Sequence, residues 1–484
     1  MCAKTIQNRD LHMKEYNQFY IGGQWVDPIG QEVNEVVNPA TDQVCARVAS
    51  AVRGDVDRAF EAAAKAFPSW SISSAKVRRD LLLAVADEME VRKKDLIDAH
   101  VETLGVPSSL VGEMQIDGPI EGIRYFAGLT DLALQTKETD GMIVVQEAAG
   151  VCALINPWNY PLLQMVGKVG AAIAAGCTMV EKPSEETPTA DFIMAEIFHK
   201  VGLPAGVFNL ISGIGSIVGP MMSSHPLADL VSFTGSTRAG ISVAENAAPT
   251  IKRVCQELGG KSALIITEDA DLEAAVAYGV DNVFLNTGQT CDALTRMLVQ
   301  RSVYEKAVSI AKSAASKHVT GDPLDPSTTV GPLVSARQKR GVDAGIQAGI
   351  DEGATLVIGG PGLPEGISSG AYVKPTIFAD VTKYMSIASE EIFGPVLCMI
   401  PFDTIDEAVE IANSSEYGLG SGVWAGDKAT ATSIARRLRA GQCFIQGAYF
   451  RLDAPFGGYK QSGNGREWGE SGLHEYLETK AIIG

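Results

Sequence analysis

The sequence predicts an α/β protein built on doubly wound parallel sheets. From about residue 150 onward, short apolar runs alternate with longer amphipathic ones, a pattern typical of strands joined by helices. Glycine supplies 50 of the 484 residues, above its usual share of about 7%, which suits many tight strand–helix turns. Sheets of this kind bind ligands beyond the carboxyl ends of their strands, so we expect functional residues there.

Two helical segments are predicted ahead of the regular alternation. Residues 55–67 form a predicted helix because Val56, Phe60 and Ala63 recur on one face. A longer helical stretch is expected within residues 76–102. Both segments would pack against the sheet that follows them in the chain.

The first alternating block contains four predicted strands, each followed by a helix. The strands cover residues 151–155, 178–181, 208–212 and 230–234. The helices cover residues 162–175, 189–199, 217–223 and 237–247. Strand–helix–strand units of this kind place their strands parallel in one sheet.

A second alternating block begins near Gly259. Its predicted strands cover residues 262–266, 297–300, 396–400 and 422–425, with a glycine- and proline-rich loop over 359–370. Its predicted helices cover residues 272–285, 304–317, 406–413 and 429–438. Two such α/β layers suggest a cleft between them.

Composition and charge exclude several classes of protein. A length of 484 residues predicts two or three domains, and 46% apolar residues are enough for a large buried core. The 40 basic and 58 acidic residues give a net charge of −18, which argues against a nucleic-acid partner. The longest apolar run, residues 171–180, is too short to span a membrane, and residues 1–16 show no secretory signal.

The cysteines are scattered and indicate a reduced, cytoplasmic protein. None of the eight forms a CxxC pair, and no cysteine–histidine cluster has the spacing of a zinc site. We therefore expect free thiols and no metal.

Two turns at predicted strand ends are candidates for nucleotide binding. Gly235 and Ser236 precede a helix whose first N–H groups would suit a pyrophosphate, although an ordinary strand–helix turn explains them equally simply. Lys182 and Glu185 could bracket a ribose, and the carboxylate would repel a 2′-phosphate and so favour NAD over NADP. A solvated charged turn is the alternative.

Three further residues could carry covalent chemistry. Cys291 lies among glycine and small polar residues, a setting that suits an exposed nucleophile, although a loop cysteine without a role fits too. Asn159, held between two prolines, could stabilise an oxyanion or cap the following helix. Glu257 precedes two glycines and could act as a general base. No histidine has a comparable setting, so a cysteine–histidine protease is not supported.

Together these segments resemble the aldehyde dehydrogenase superfamily along almost the whole chain. The segments that carry the resemblance are Tyr20-Ile-Gly-Gly-Gln-Trp25, Val37-Asn-Pro-Ala-Thr41, Pro157-Trp-Asn159, Lys182-Pro-Ser-Glu185, Phe233-Thr-Gly-Ser236, Glu257-Leu-Gly-Gly-Lys261, Gly288-Gln-Thr-Cys291, Glu390-Glu-Ile-Phe-Gly-Pro395 and Pro455-Phe-Gly-Gly-Tyr-Lys460. Each is modest evidence alone, but their order and spacing are specific.

The resemblance implies NAD-dependent oxidation of an aldehyde to a carboxylic acid, with NADP as a less favoured coenzyme. Cys291 would be the nucleophile, Asn159 would stabilise the oxyanion, and Glu257 would activate water for thioester hydrolysis. Lys168 and Glu467 would assist the proton path from that base.

The resemblance also implies the residues that contact the coenzyme and the substrate. The coenzyme positions are Ile155, Pro157, Trp158, Lys182, Glu185, Gly215, Phe233, Gly235, Ser236, Leu258, Glu391 and Phe393. The substrate tunnel would include Met114, Tyr160, Phe450 and Phe456.

The domain organisation expected from the resemblance has three parts. A Rossmann-like coenzyme domain would comprise residues 1–128 and 150–258, and an α/β catalytic domain residues 259–445. Residues 129–149 and 446–484 would form a β arm that bridges subunits. Strand edges in such an arm need a partner, so a homodimer or homotetramer is expected.

Two departures from the family pattern concern the substrate end of the site. Arg451 could bind the carboxylate of an acidic aldehyde, although a surface ion pair with Asp453 is the simpler interpretation. Asp292, directly after the nucleophile, would oppose thiolate formation, so we expect its side chain to turn away.

Two other functions stay open at this point. A CoA-acylating dehydrogenase could dispense with Glu257, which this chain retains. A non-catalytic NAD-binding protein could share the fold, since fold alone does not fix activity. A requirement for CoA and NADH production from simple aldehydes would distinguish them.

Overall fold

A computed structural model describes residues 13–484 of the chain. Cys2 and most of the N-terminal segment inspected for a signal lie outside these residues. The strands are β1 Lys14–Tyr16, β2 Phe19–Ile21, β3 Gln24–Val26, β4 Val33–Asn38, β5 Gln43–Ala49, β6 Thr136–Thr139, β7 Met142–Ala148, β8 Val151–Ile155, β9 Thr178–Lys182, β10 Phe208–Leu210, β11 Leu230–Thr234, β12 Arg253–Glu257, β13 Ala263–Ile266, β14 Arg296–Gln300, β15 Thr355–Ile358, β16 Thr376–Ala379, β17 Val396–Phe402, β18 Ser421–Trp424, β19 Phe444–Ile445, β20 Gly463–Asn464 and β21 Leu477–Ile483.

The α-helices occupy most of the intervals that the apolar periodicity predicts. They are α1 Arg53–Trp70, α2 Ala75–Val91, α3 Lys93–Thr103, α4 Gly118–Gly128, α5 Pro161–Ala175, α6 Thr189–Lys200, α7 Gly215–Ser223, α8 Thr237–Ala247, α9 Leu272–Phe284, α10 Tyr304–Ala315, α11 Ala336–Asp351, α12 Ser386–Ser389, α13 Ile405–Asn413, α14 Lys428–Ala435 and α15 Gly469–His474. The predicted helical stretch over 76–102 is two helices that meet at Arg92.

The first sheet confirms the predicted alternation after residue 150. Its strands run in the order β20-β12-β11-β8-β9-β10-β2-β3, and β8 to β12 are parallel to one another. Helices α5 and α8 follow β8 and β11 directly, so the segments that carry Asn159 and Ser236 emerge at the same edge of the sheet. Two short flanking strands, β2 and β20, run antiparallel to their neighbours.

The second sheet has the order β15-β16-β17-β14-β13-β18-β19 and is parallel from β16 to β19. The predicted helix over 429–438 ends earlier, at Ala435. Helix α11 and strands β15, β16 and β19 were not among the predicted elements. Separate apolar clusters cover the two faces of this sheet.

A third, antiparallel sheet joins two distant parts of the chain. Strand β21 pairs with β7 along its whole length, from Leu477 against Ala148 to Ile483 against Met142, and β6 pairs with the other edge of β7. Ile482 and Ile483 remain exposed at its end. A fourth sheet, β1-β5-β4, lies near the N-terminus. Within residues 13–484, no helix is long and apolar enough to cross a membrane.

Candidate active site

Cys291 lies in the segment between α9 and β14, just after a tight turn. Asn286 and Thr287 in that turn have left-handed backbone angles, with φ of 49° and 56°. The thiol is partly exposed and packs at the edge of the apolar cluster around the first sheet. Burial raises the pKa of Cys291 well above its usual range, and the charges of Asp292 and Glu257 raise it further. The thiol therefore needs a base to take its proton.

Asn159 is fixed to the cysteine segment by hydrogen bonds. Its Nδ2 donates to the backbone carbonyl of Gln289 at 3.0 Å. The backbone carbonyl of Asn159 accepts from Asn286 Nδ2 at 2.9 Å and from Gln115 Nε2 at 3.1 Å. A side-chain amide has two hydrogens, so one is left after the bond to Gln289. Asn159 does not cap helix α5: the cap position is Tyr160, and no side chain caps that helix end.

Glu257 ends strand β12 and is almost fully buried. Its Oε2 has no hydrogen-bond partner within residues 13–484. Burial raises the pKa of Glu257 well above its usual range, and the charge of Glu467 adds to this, while Lys168 and Arg466 oppose it. The surroundings of Glu257 therefore favour the protonated form of its carboxyl more strongly than water does.

Gly457 lets the chain pass close to that carboxylate. A Cβ atom at position 457 would lie 2.6 Å from Oε1 of Glu257, and the residue has a φ of +149°. Only glycine meets both conditions without strain. The Pro-Phe-Gly-Gly segment thus forms one wall of the pocket around Glu257.

Lys168 and Glu467 form a buried ion pair. Lys168 Nζ lies 2.8 Å from Glu467 Oε1 and donates to Thr234 Oγ1 at 2.7 Å. Thr234, at the end of β11, was not identified from the sequence, although its polar side chain at the carboxyl end of a parallel strand was a usable signal. Lys168, Glu467 and Thr234 thus form one polar cluster whose charges act on Glu257.

Lys182 and Glu185 lie in the predicted crevice at the end of β9. Glu185 Oε1 accepts from the N–H of Gly215 at 3.2 Å, and Lys182 Nζ is 3.5 Å from Glu185 Oε2. Burial would raise the pKa of Glu185, but Lys182 and the Gly215 N–H more than offset it and lower the pKa. The pair is not a freely solvated turn, because Lys182 is buried.

The floor of the crevice is apolar and ends at the start of helix α8. Ile155, Phe233 and Leu258 belong to one buried cluster. Ser236 is exposed at the cap of α8, where its side chain accepts from the N–H of Ala239. The N–H of Gly235 donates to the backbone carbonyl of Glu257 at 3.0 Å, which joins this turn to strand β12.

Glu391 and Phe393 lie in the second alternating block, just before strand β17. Glu391 Oε1 accepts from the N–H of Gly260 at 2.9 Å, and a Cβ at Gly259 would lie 2.3 Å from Glu391 Oε2. Burial raises the pKa of Glu391 to about 7. Phe393 meets Trp158, which follows Pro157, edge to face with ring centroids 5.3 Å apart.

The predicted substrate residues divide into two groups. The hydroxyl of Tyr160 is hydrogen-bonded at 2.8 Å to that of Thr290, which directly precedes Cys291. Phe450 lies edge to face with Phe456 at 5.8 Å and with Trp468 at 5.9 Å. Trp468 was not predicted, because nothing in its local sequence signals a role.

Met114 is in the π-helical turn Gly112–Asp117, next to the buried Gln115 that bonds to Asn159. Gln115, Asn286 and Gln289 were also missed by the sequence analysis. Gln115 and Asn286 bond to the backbone carbonyl of Asn159, and Gln289 accepts through its own backbone carbonyl. Bonds to backbone atoms leave no motif in the sequence.

Arg451 and Asp292 are the two residues that depart from the family pattern. Arg451 and Asp453 form an exposed ion pair, with Nη2 and Oδ2 2.6 Å apart, as the simpler interpretation predicted. After burial, the charge of Asp292 contributes most to the raised pKa of Cys291, so Asp292 opposes thiolate formation as expected, and the direction of its side chain stays a prediction. Burial raises the pKa of Asp292 itself to about 6. Its Cβ is confined by Gly420, where an added Cβ would lie 3.1 Å away.

Comparison with known proteins identifies the family of this chain. The profile of the aldehyde dehydrogenase family matches residues 25–482. A 3-succinoylsemialdehyde-pyridine dehydrogenase of Pseudomonas sp. is 47% identical over 98% of this chain and 99% of its own length. The chain belongs to the aldehyde dehydrogenase family, and it is accordingly an oxidoreductase.

Solved structures show the same fold. An alanine mutant of aldehyde dehydrogenase C from Pseudomonas syringae, in complex with NAD+ and octanal, has a TM-score of 0.95 and 48% identity, with 96% of each chain covered. The Mycobacterium tuberculosis aldehyde dehydrogenase in complex with NAD+ has a TM-score of 0.95 and 39% identity, with 98% of this chain and 99% of that chain covered.

Proposed function

We propose that this protein oxidises an aldehyde to the carboxylic acid with NAD+, through a thioester on Cys291 that Glu257 helps to hydrolyse. The observation that carries the proposal is the hydrogen bond from Asn159 to Gln289, which fixes a neutral amide donor to the segment that presents the thiol. A nucleophile, an amide donor and a buried carboxylate are the three groups that this chemistry requires.

The crevice has the groups that a dinucleotide needs. Lys182 and Glu185 can hold the hydroxyls of one ribose, the start of helix α8 can hold the pyrophosphate, and Glu391 can hold the second ribose. NAD+ bound there would supply the acceptor for the hydride of the substrate. The resemblance and the NAD+ complexes of relatives support NAD+, and the charge of Glu185 disfavours the 2′-phosphate of NADP+.

Cys291 would begin the reaction by adding its sulfur to the aldehyde carbon. Its proton would pass to Glu257, while the carbonyl π electrons move to oxygen. The remaining amide hydrogen of Asn159 and the N–H of Cys291 would stabilise that oxyanion. Loss of hydride from the tetrahedral carbon would then leave a thioester.

Glu257 would release the proton that it took from Cys291, and the regenerated carboxylate would then take a proton from water. The water oxygen would form a bond to the acyl carbon, the carbon–sulfur bond would break, and the acid would leave. Lys168, Glu467 and Thr234 would carry the proton away from Glu257.

An apolar aldehyde is the substrate class that the pocket favours. Phe450 is partly exposed and packs against the buried Phe456 and Trp468, so it can offer aromatic surface, while the charges of Arg451 and Asp453 neutralise each other. The octanal complex of a 48% identical relative supports the same class. An anionic aldehyde would meet the carboxylate of Asp292 beside the nucleophile.

We also infer a homodimer or homotetramer in the cytoplasm. The third sheet has free edges at β6 and β21 and exposes Ile482 and Ile483, which a second copy would cover. All seven cysteines in the described part of the chain are free, as expected in a reducing compartment. Light scattering and cell fractionation test the two inferences.

Initial rates of NADH formation test the proposed function. We expect octanal and benzaldehyde to give higher kcat/KM values than succinic semialdehyde, with NAD+ preferred over NADP+ and no need for CoA. A requirement for CoA would show that the acyl group passes to the thiol of CoA instead of to water. Absence of turnover with every aldehyde tested would refute the proposal.

A further inference from the structure

Glu475 joins two parts of the chain that carry the carboxylates of the site. Its Oε1 accepts from the backbone N–H of Arg466 at 3.1 Å, and its Oε2 accepts from the thiol of Cys255 at 3.3 Å. Arg466 directly precedes Glu467, and Cys255 lies two residues before Glu257 on β12. The side chain of Glu475 therefore links strand β12, which carries the proposed base Glu257, to the segment that carries Glu467.

The backbone of Glu475 is itself anchored to that strand. Arg253, at the start of β12, donates from Nη1 to the carbonyl of Glu475 at 2.6 Å and to that of Leu477 at 3.0 Å. Gly465 packs closely on both partners, because a Cβ there would lie 3.2 Å from the Cβ of Cys255 and 3.4 Å from the Cδ of Glu475. The linkage is thus fixed at both the side chain and the main chain.

Glu475 is also one of the charges around Glu257. Its charge raises the pKa of Glu257, as Glu467 does, whereas Lys168 and Arg466 lower it. Cys291 lies on the other side and is in turn affected by Glu257. Neutralising Glu475 should therefore lower the pKa of Glu257.

We propose that Glu475 is a positioning residue, which holds the strand of Glu257 in register with the segment of Glu467 so that hydrolysis of the thioester proceeds. The proposal rests on the proposed function. It assigns no contact with substrate or coenzyme to Glu475, so the effect should fall on the step after hydride loss.

Glu475→Gln tests this with octanal and NAD+ in stopped flow. The amide keeps the size of the side chain but has only one acceptor oxygen for two donors. We expect the NADH burst to stay within about twofold of wild type and the steady-state rate to fall about tenfold, a range typical of a misplaced reacting group. The acid limb of kcat against pH should also move to lower pH. Glu470→Gln, an exposed carboxylate on α15, is the control and should change neither.

Cys255 supplies a second test that does not depend on the stability of Glu475→Gln. Cys255→Ala removes the donor and should lower the steady-state rate while sparing the burst, and Cys255→Ser keeps a donor and should stay near wild type. The positioning role would be overturned if Glu475→Gln changed neither the ratio of the burst to the steady-state rate nor the pH profile. This holds even if the melting temperature of the variant fell. A wild-type protein that forms no NADH from aldehydes would instead refute the proposed function.

Discussion

Lys168 and Glu467 form an ion pair at 2.8 Å with almost no exposure to solvent on either side. A buried pair of this kind costs desolvation energy, and its contribution to stability is often small. Its location next to Glu257 gives it a chemical use instead, because its two charges act on the pKa of the proposed base in opposite directions: Glu467 adds to the rise caused by burial, and Lys168 opposes it.

Lys168→Met should shift the pH dependence of hydrolysis. Without the ammonium, the pKa of Glu257 rises further, and a base works only above its pKa, so the acid limb of kcat should move to higher pH. The variant should also lose about 3–5 kcal/mol of stability, because Glu467 is left as an unpaired buried charge.

The matched control for that variant is Lys200→Met. Lys200 has an ion pair of the same 2.8 Å length with Glu88 but is mostly exposed. Its loss should change stability by less than about 1 kcal/mol and leave the pH profile unchanged. Denaturant unfolding measures the stability of the two variants, and pH–rate profiles measure their pH dependence. Equal effects in Lys168→Met and Lys200→Met would contradict the role of Lys168 in setting the pKa of Glu257.

Asp292→Asn should make the nucleophile ionise at lower pH. Asp292 has a pKa of about 6, so it is charged at neutral pH, and that charge raises the pKa of Cys291. Neutralising it lowers the thiol pKa, and the rising limb of the burst rate against pH should move to lower pH. Asp98→Asn, an exposed carboxylate on α3, should have no effect. A shift to higher pH would show that the two side chains do not interact in this way.

Glu185→Gln should relax the choice of coenzyme. The amide oxygen can still accept from Gly215, but the negative charge that opposes a 2′-phosphate is gone. We expect the ratio of kcat/KM for NADP+ to that for NAD+ to rise about tenfold, the scale of one screened charge contact. Glu186→Gln, which removes the neighbouring carboxylate paired with Arg337, is the control. An unchanged ratio would remove Glu185 from coenzyme discrimination.

Glu257→Gln should separate the two halves of the reaction. The amide cannot take a proton from water, so the steady-state rate should fall at least about a hundredfold, the lower end of what general-base catalysis contributes. The first turnover of NADH should be slowed less. Rapid mixing with octanal resolves the two phases, and an equal loss in both would show that the main role of Glu257 is to deprotonate Cys291 rather than to activate water.

Local sequence predicted the elements that have strong periodicity. Strand β8 and helix α8 coincide with their predicted limits, because apolar runs and turn residues bound them clearly. Helix α14 ends before the predicted limit, since Arg436 and the following residues form turns. Strand β19 has only two residues, too few to leave a period.

The site was predictable where chemistry requires a particular side chain. Cys291, Glu257 and Asn159 were found because their types and settings are unusual, although their roles remain proposals. Gln115 was missed because it acts through a contact between distant segments, and no pattern along the chain records that contact. Thr234 could have been found from its polar side chain at the carboxyl end of a parallel strand, but its hydrogen bond to Lys168 depends on the fold. The opposing effect of Asp292 on the thiol was expected, because the two residues are neighbours in the sequence.

The central claim is that the sulfur of Cys291 carries the acyl group during turnover. Glu257→Gln protein, mixed with octanal and NAD+ and quenched with acid, should show an intact mass increased by one octanoyl group, and peptide mapping should place that group on Cys291. Cys291→Ala in the same background should show no increase. An octanoyl group on another residue, or NADH formation by the Cys291→Ala protein, would contradict the account.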